Sequence, residues 1–390
     1  ENALLILALS ALVVLAGSMI LLRETLAFAP AWGDPLVREL VLWAGLLGAL
    51  AAARERRHIA IDIFTHRLPE KAQFWVTQLT SAAAMLITTI LAFAAWRYIG
   101  FLREEDMVLA GIPAWLWGLV VPLCFAGLAA REAFFSWRVS GVLLLGLAWF
   151  LFKAQGDLEA FISLISETYA KLPTAYLIIG AVVLMLLGTP MYAILSGVTL
   201  WGYAQSGTDW QIYAQEVTAL AEKPVLVSIP LFALTGYILG ESGAPGRLVR
   251  VTNSLLGWMP GGLAIVSLIA CAGFTAMTGA TGITIVALGA LLYPALTQAG
   301  YPKNFNLGLV TTSGSLGMLL PPSLAVILYD FFARTSMPSG VIAPTLGEQF
   351  TAGLLPTLLM LVLLAGYSIF VARRIPASAV QEKKSFSWQE

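Results

Sequence analysis

Charge is scarce in this 390-residue chain. Lys and Arg number 22, Asp and Glu 22, and together they make 11% of the residues. A soluble domain carries about 25%. The net charge of zero removes the basic or acidic surplus that would point to a nucleic-acid partner. There are two cysteines, Cys124 and Cys271, each inside an apolar run. That excludes a disulfide framework or a zinc site and makes them small buried hydrophobes. The two histidines, His58 and His66, share one basic loop. With no carboxylate expected in the interior, a transition-metal site is excluded. An intramembrane enzyme built on Ser313-Gly314 is the remote alternative, disfavoured because no histidine of this chain could meet that serine at membrane depth. What is present is apolar: 59% hydrophobic residues and a mean hydropathy of +0.84. So much apolar surface needs lipid as its solvent.

About 20 apolar residues cross a bilayer. Spans are predicted over 3–22, 36–53, 73–96 and 107–130, with a shorter one over 139–152. Residues 154–171 are amphipathic and carry Asp157, Glu159, Glu167 and Lys171. Further spans follow over 224–240 and 349–372, and the uncharged run 172–208 is broken at Gly188-Thr189-Pro190. Basic residues mark cytoplasmic loops. Arg54, Arg56, Arg57, Arg67 and Lys71 place the loop 54–71 inside, and the loops near 23–39 and 97–106 then face outward. Arg131 and Arg138 return the chain inside, and Arg373, Arg374, Lys383 and Lys384 put its end there, provided 139–152 crosses. Trp32, Trp75, Trp96, Trp137 and Trp210 near span ends suit an interfacial belt. His58 and Asp62, one helical turn apart, read as a solvated basic helix start or as a contact to lipid or a sister subunit.

Two long stretches, 251–302 up to Pro302 and 304–329, hold no charged residue. The first is too long for one crossing and must turn back. Pro260-Gly261-Gly262 breaks it early, and Phe274 to Thr284 concentrates Gly and Thr in apolar sequence. Non-helical backbone at membrane depth survives where protein buries it or where it lines a wet cavity. A hairpin over about 263–300 whose tip offers helix ends to ions satisfies that rule; a seam of small residues between packed helices also does. The second stretch carries Thr311 to Gly317 and then Pro321-Pro322-Ser323. Two adjacent prolines remove two amide donors and hold Leu320 extended. The break is expected around Thr312, Ser313, Gly314 and Gly317, as an interrupted helix of the kind that forms ion sites in secondary carriers, or as a proline kink.

These residues resemble a known family. Glu39, Trp43, Gly45, Gly48, Glu55, His58-Ile59, Asp62 and Gly111 to Trp115 resemble the small membrane subunit of the tripartite ATP-independent periplasmic (TRAP) transporters. Gly188-Thr189-Pro190, Ile229 to Phe232, Gly236, Gly243, Gly257, Gly261-Gly262, Ala287-Leu288-Gly289, Pro294, Gly300-Tyr301, Gly314 to Gly317, Pro321-Pro322-Ser323, Gly353 and Pro356 resemble its large subunit. There are departures. Thr278-Gly279-Ala280 stands where the family commonly has Ser-Gly-Ser, and Asp330 stands where glycine is expected. The large subunit resembles an inverted pair of repeats, and one repeat is found here. The sequence is therefore expected to be truncated, and the second half of the large subunit is expected as a partner.

The resemblance implies an all-α polytopic protein of the bacterial inner membrane. It would comprise a four-span small-subunit-like domain (1–138), a linker helix and amphipathic connection (139–171), and the first repeat of an elevator-type carrier (172–390), with a re-entrant hairpin and a broken helix. It also implies a periplasmic solute-binding protein as partner, a small carboxylate as solute and Na+ as coupling ion. With no charge inside its long spans, the second part would hold a carboxylate through helix ends, hydroxyls and bound cations. Thr278, Gly279 and Thr281 at the hairpin tip, and Thr312, Ser313, Gly314 and Gly317 at the helix break, are the candidate sodium and solute ligands, with Pro321 and Pro322 as the structural break. A stand-alone sodium-coupled anion carrier that needs no binding protein is the alternative.

Overall fold

The computed structural model describes residues 2–374 apart from 29, 62–63, 106–107, 110, 138, 140, 142–157, 222, 257–260, 280 and 338–343. The chain divides into two compact units, Glu1–Lys223 and Pro224–Glu390. The expected crossing at 139–152 lies almost wholly outside the described residues, as do Asp62, Gly257, Pro260, Ala280, Lys383 and Lys384.

The first unit opens with α1 (Asn2–Leu26), α2 (Gly33–Arg54) and α3 (Glu70–Glu104). In α1 the buried positions Ala8, Leu12, Ala16 and Met19 recur every three or four residues. They form one inward stripe, and the apolar residues on the other faces remain exposed, as lipid-facing helices require. At 35 residues, α3 is about 52 Å long, more than the hydrocarbon thickness. The span expected from 107 begins later. Val108–Leu109 (β1) pairs antiparallel with Ile112–Pro113 (β2) around Gly111 at φ +81°, and the helix starts only at Ala114. Gly111 supplies the turn and Pro113 an extended residue ahead of the helix, so apolar composition alone overran the boundary. Short α4 (Ala114–Gly118) leads into α5 (Val120–Phe135).

Beyond the undescribed stretch come α6 (Leu158–Ala170), α7 (Thr174–Leu186), α8 (Met191–Ser206) and α9 (Gln211–Ala221). The α7–α8 gap is the break expected at Gly188-Thr189-Pro190, with Gly188 at φ +87°. Leu42, Leu50, Leu91, Val121, Phe125, Leu200 and Trp210 share one core, so α8 and α9 pack with the first five helices. Trp210 is thus a core residue rather than part of an interfacial belt. It is 4% exposed, and its Nε1 donates to Leu200 O at 3.0 Å. The pairing of apolar body and satisfied indole N–H suits burial as well as an interface.

The second unit holds α10 (Pro224–Glu241), α11 (Ala244–Leu256), α12 (Gly262–Thr278), α13 (Thr281–Gln298), α14 (Lys303–Leu316), α15 (Leu324–Ser336) and α16 (Leu346–Ala372). Its core joins Leu268, Phe274, Leu288, Leu292, Leu296, Leu309 and Val310. Helix α16 is apolar outward and polar inward: Leu355, Leu358 and Val362 are exposed while Thr357 and Ser368 are fully buried. Both hydroxyls donate to carbonyls one turn back at 2.7 Å. Thr345 and Glu348 close its N-terminus with a reciprocal cap. Asp330, where glycine was expected, accepts from Arg334 at 2.8 Å and from Gln349 at 2.5 Å, tying α15 to α16.

Candidate functional site: hairpin tip and helix break

The charge-free run from 262 to 298 is a helical hairpin. Helix α12 stops because Gly279 adopts φ +68°, the left-handed conformation that terminates helices. The Gly279 amide donates to Thr275 O at 2.7 Å. Two residues later α13 begins at Thr281. Inside the tip, Thr275, Thr278 and Thr284 are fully buried. Thr275 Oγ1 donates to Thr284 Oγ1 at 2.7 Å, and the Thr278 and Thr284 hydroxyls lie 3.5 Å apart. These three hydroxyls meet one another across the hairpin. Thr275 and Thr284 were missed. Thr275 stands one turn before Thr278 and Thr284 one turn after Thr281, and that spacing was the available signal.

The second stretch is an interrupted helix. A single turn of tighter helix over Gly317–Leu319 follows α14. Leu320 is extended, the Pro321–Pro322 bond is cis, and Ser323 caps α15 by accepting from the Val326 amide. The halves meet at 48°. The break therefore lies later than expected. Thr312, Ser313 and Gly314 are in the last turns of α14, and the non-helical peptide is Leu320–Ser323. The physical reason is local. Thr311 and Ser313 donate to the carbonyls of Leu307 and Leu309, four residues back, so their hydroxyls are satisfied within the helix. Only the double proline removes the amides that α14 would need to continue. Pro321 and Pro322 are exposed, whereas Ser313, Gly314 and Gly317 are buried.

Glycine is what brings the two features together. A Cβ on Gly317 would lie 2.2 Å from Ala272 O and 2.5 Å from Thr275 Cβ, so the tight turn packs backbone against backbone on α12. A Cβ on Gly279 would stand 3.0 Å from Leu324 Cβ, at the start of α15. On Gly314 it would come 3.3 Å from Ile285 Cγ1 and 3.8 Å from Thr281 O. Behind the tip, α10 contributes Gly236, whose Cβ would sit 2.9 Å from Thr278 Cβ and 3.2 Å from Thr278 O. Thus Thr278, Gly279, Thr281, Gly314 and Gly317 gather at one junction of α10, α12, α13, α14 and α15. The hydroxyl of Ser313 donates to Leu309 O, which leaves lone pairs on its oxygen, the kind of donor a hard cation takes. No side chain in this junction carries a formal charge.

A helical hairpin interlocked with an interrupted helix, in a chain of lipid-facing helices, defines a polytopic α-helical membrane protein. The profile described as "Tripartite ATP-independent periplasmic transporter, DctM component" matches residues 178–389. That of the DctQ component of the same transporters matches residues 12–141. The chain belongs to the tripartite ATP-independent periplasmic transporter family and joins the small and large membrane subunits in one polypeptide. It is an inner-membrane protein.

Among curated relatives, it is similar to the C4-dicarboxylate TRAP transporter large permease protein DctM of Rhodobacter capsulatus, 34% identical over 205 residues, 50% of this chain and 46% of that protein. It is 25% identical over 363 residues to the isethionate TRAP transporter permease protein DctMQ of Oleidesulfovibrio alaskensis, covering 89% of this chain and 53% of that one. It is also 26% identical over 387 residues to the sialic acid TRAP transporter permease protein SiaT of Haemophilus influenzae, at 92% and 59% coverage. The chain spans about half the length of the curated relatives it matches.

Proposed function

We propose that this chain is the permease part of a sodium-coupled, binding-protein-dependent importer of small organic acids, working by elevator-type alternating access. The observation that carries the reading is the junction itself. Two helix ends, a triad of buried hydroxyls and the α14–α15 break converge where no side chain has a charge. An anionic solute held at such a place needs a cation and oriented backbone dipoles to balance it. Several relatives are named for acids (dicarboxylate, sialic acid, isethionate and 2,3-diketo-L-gulonate), and two others for ectoine. Thr278, Gly279 and Thr281 would present hydroxyl and carbonyl oxygens from the hairpin, and Thr312, Ser313, Gly314 and Gly317 from the helix. The matching half of the site would come from the second half of a large subunit, and a periplasmic solute-binding protein would deliver the solute.

The alternative, a carrier acting alone, is disfavoured by the match of residues 12–141 to a small subunit. Reconstitution of the complete assembly in vesicles separates the two. The proposal expects uptake that requires both an inward sodium gradient and the binding protein. Uptake indifferent to sodium would overturn the coupling, and uptake undiminished without the binding protein would favour the stand-alone carrier.

A further inference from the structure

A polar cavity of about 260 Å³ lies in the first unit, well away in sequence from the hairpin. It forms where α2 ends, α3 begins, α5 ends and the α7–α8 break passes, with Arg56, His58, Ser81, Glu132 and Gly188 on its walls. Glu132 is only 6% exposed. It accepts from the Tyr192 hydroxyl at 3.4 Å and is hydrogen-bonded to Ser81. The guanidinium of Arg56 lies 3.9 Å over the Phe135 ring. The His58 ring stands 4.6 Å from that of Tyr192, and its buried Nε2 has no hydrogen-bond partner among the described residues.

The walls thus hold one cation, one carboxylate and an imidazole nitrogen with bonding capacity to spare. A simple anion would meet buried Glu132, and a simple cation would meet Arg56 at the exposed side of the cavity; setting either beside a like charge is unfavourable. A molecule with both charges matches both walls. The position points the same way. The cavity sits at the ends of apolar helices α2 and α5, beside the basic loop, and such span ends are where anionic headgroups meet basic loops.

We propose that this cavity binds a compact zwitterion bearing an ammonium and a phosphate, the ammonium toward Glu132 and the phosphate toward Arg56 and His58. Phosphatidylethanolamine and free phosphorylethanolamine both supply that chemistry. The occupant would bridge the region that matches a small subunit (Arg56 to Glu132) and the start of the region that matches a large one (Gly188 to Tyr192).

Thermal unfolding of the delipidated, purified complete assembly tests this. Added phosphatidylethanolamine is expected to raise the midpoint, while phosphatidylglycerol, which has the phosphate but no amine, leaves it unchanged at the same mole fraction. A shift with phosphorylethanolamine alone assigns the free molecule; a shift with the lipid alone assigns the headgroup. Glu132→Gln keeps the side-chain shape and is expected to weaken phosphatidylethanolamine roughly tenfold, the scale of one charge-assisted hydrogen bond. Arg56→Gln, on the loop, weakens it comparably and decides the matter if the Glu132 variant does not fold. Equal shifts from both lipids in the unsubstituted chain, or full phosphatidylethanolamine binding by Arg56→Gln, would overturn the proposal.

Discussion

Two helix breaks, each with glycine, proline and a hydroxyl residue, lie at Gly188-Thr189-Pro190 in the first unit and at Gly317 to Ser323 in the second. They are built differently. At the first, the basic loop 55–69 reaches in: the Met191 amide donates to Ile59 O at 2.9 Å and Thr65 Oγ1 donates to Leu187 O at 3.1 Å. The groups freed by the interruption are taken by another segment, and charged side chains stand around it. At the second, glycines press backbone on backbone, and the hydroxyls of the adjoining hairpin bond to one another. A break clipped shut by a neighbouring loop suits a scaffold. One lined by carbonyls and hydroxyls without charge suits a site for a small cation. Composition flags both; only the surroundings tell them apart.

The sharpest way to break this contrast is at Gly317. Gly317→Ala places a methyl 2.2 Å from Ala272 O. Backbone cannot yield as a side-chain tip can, so a loss of about 1–3 kcal/mol in stability is expected. Uptake by the complete assembly should fall below detection, as measured in vesicles alongside a thermal midpoint.

Next is the hydroxyl triad. Thr284→Val keeps the volume but leaves Thr275 and Thr278 without their shared partner, at about 1–3 kcal/mol. The half-saturating sodium concentration for transport should rise. The matched change in the first break, Thr65→Val, removes one hydrogen bond, worth about 0.5–1.5 kcal/mol, and should leave the sodium response as it was. Equal sodium responses from the two variants would erase the distinction.

A smaller effect concerns the clip. Burial pushes the His58 imidazole below its ordinary value, which is about 6.5 in an unfolded chain. Between the folded and unfolded values the unfolded chain binds more protons, so stability rises with pH. It is fully present above about pH 6.5 and is lost as pH falls through the folded value. His58→Gln should flatten the pH dependence of the thermal midpoint across that acid window. The smallest effect is at Arg97 and Asp209, paired at 3.0 Å and both over a third exposed. Asp209→Asn should cost at most about 1 kcal/mol, and raising the salt concentration should abolish the difference.

Much of this architecture was legible from residue order. Apolar length located α1, α2, α3, α10 and α16, because lipid selects for unbroken apolar faces. Gly279 and Pro321-Pro322 marked the hairpin turn and the interruption, because left-handed φ and missing amides are properties of single residues. Three things were not legible. Thr311 and Ser313 bond within their own turn and stay inside α14, so the break was placed too early. Trp210 turned inward to Leu200 O, since an indole serves a core and an interface equally. Glu132 was counted among no buried groups, although it sits 6% exposed against Tyr192, sixty residues along the chain. Partners that distant leave no local pattern.

The central claim is that oxygens at the junction of α12 and α14 hold sodium. Equilibrium binding of radioactive sodium to the complete assembly tests it directly, comparing the unsubstituted protein with Ser313→Ala and Thr278→Val. Saturable binding weakened at least several-fold in both variants, with Thr65→Val unchanged, is the expected result. Undiminished sodium binding by Ser313→Ala and Thr278→Val would show that the ion sits elsewhere.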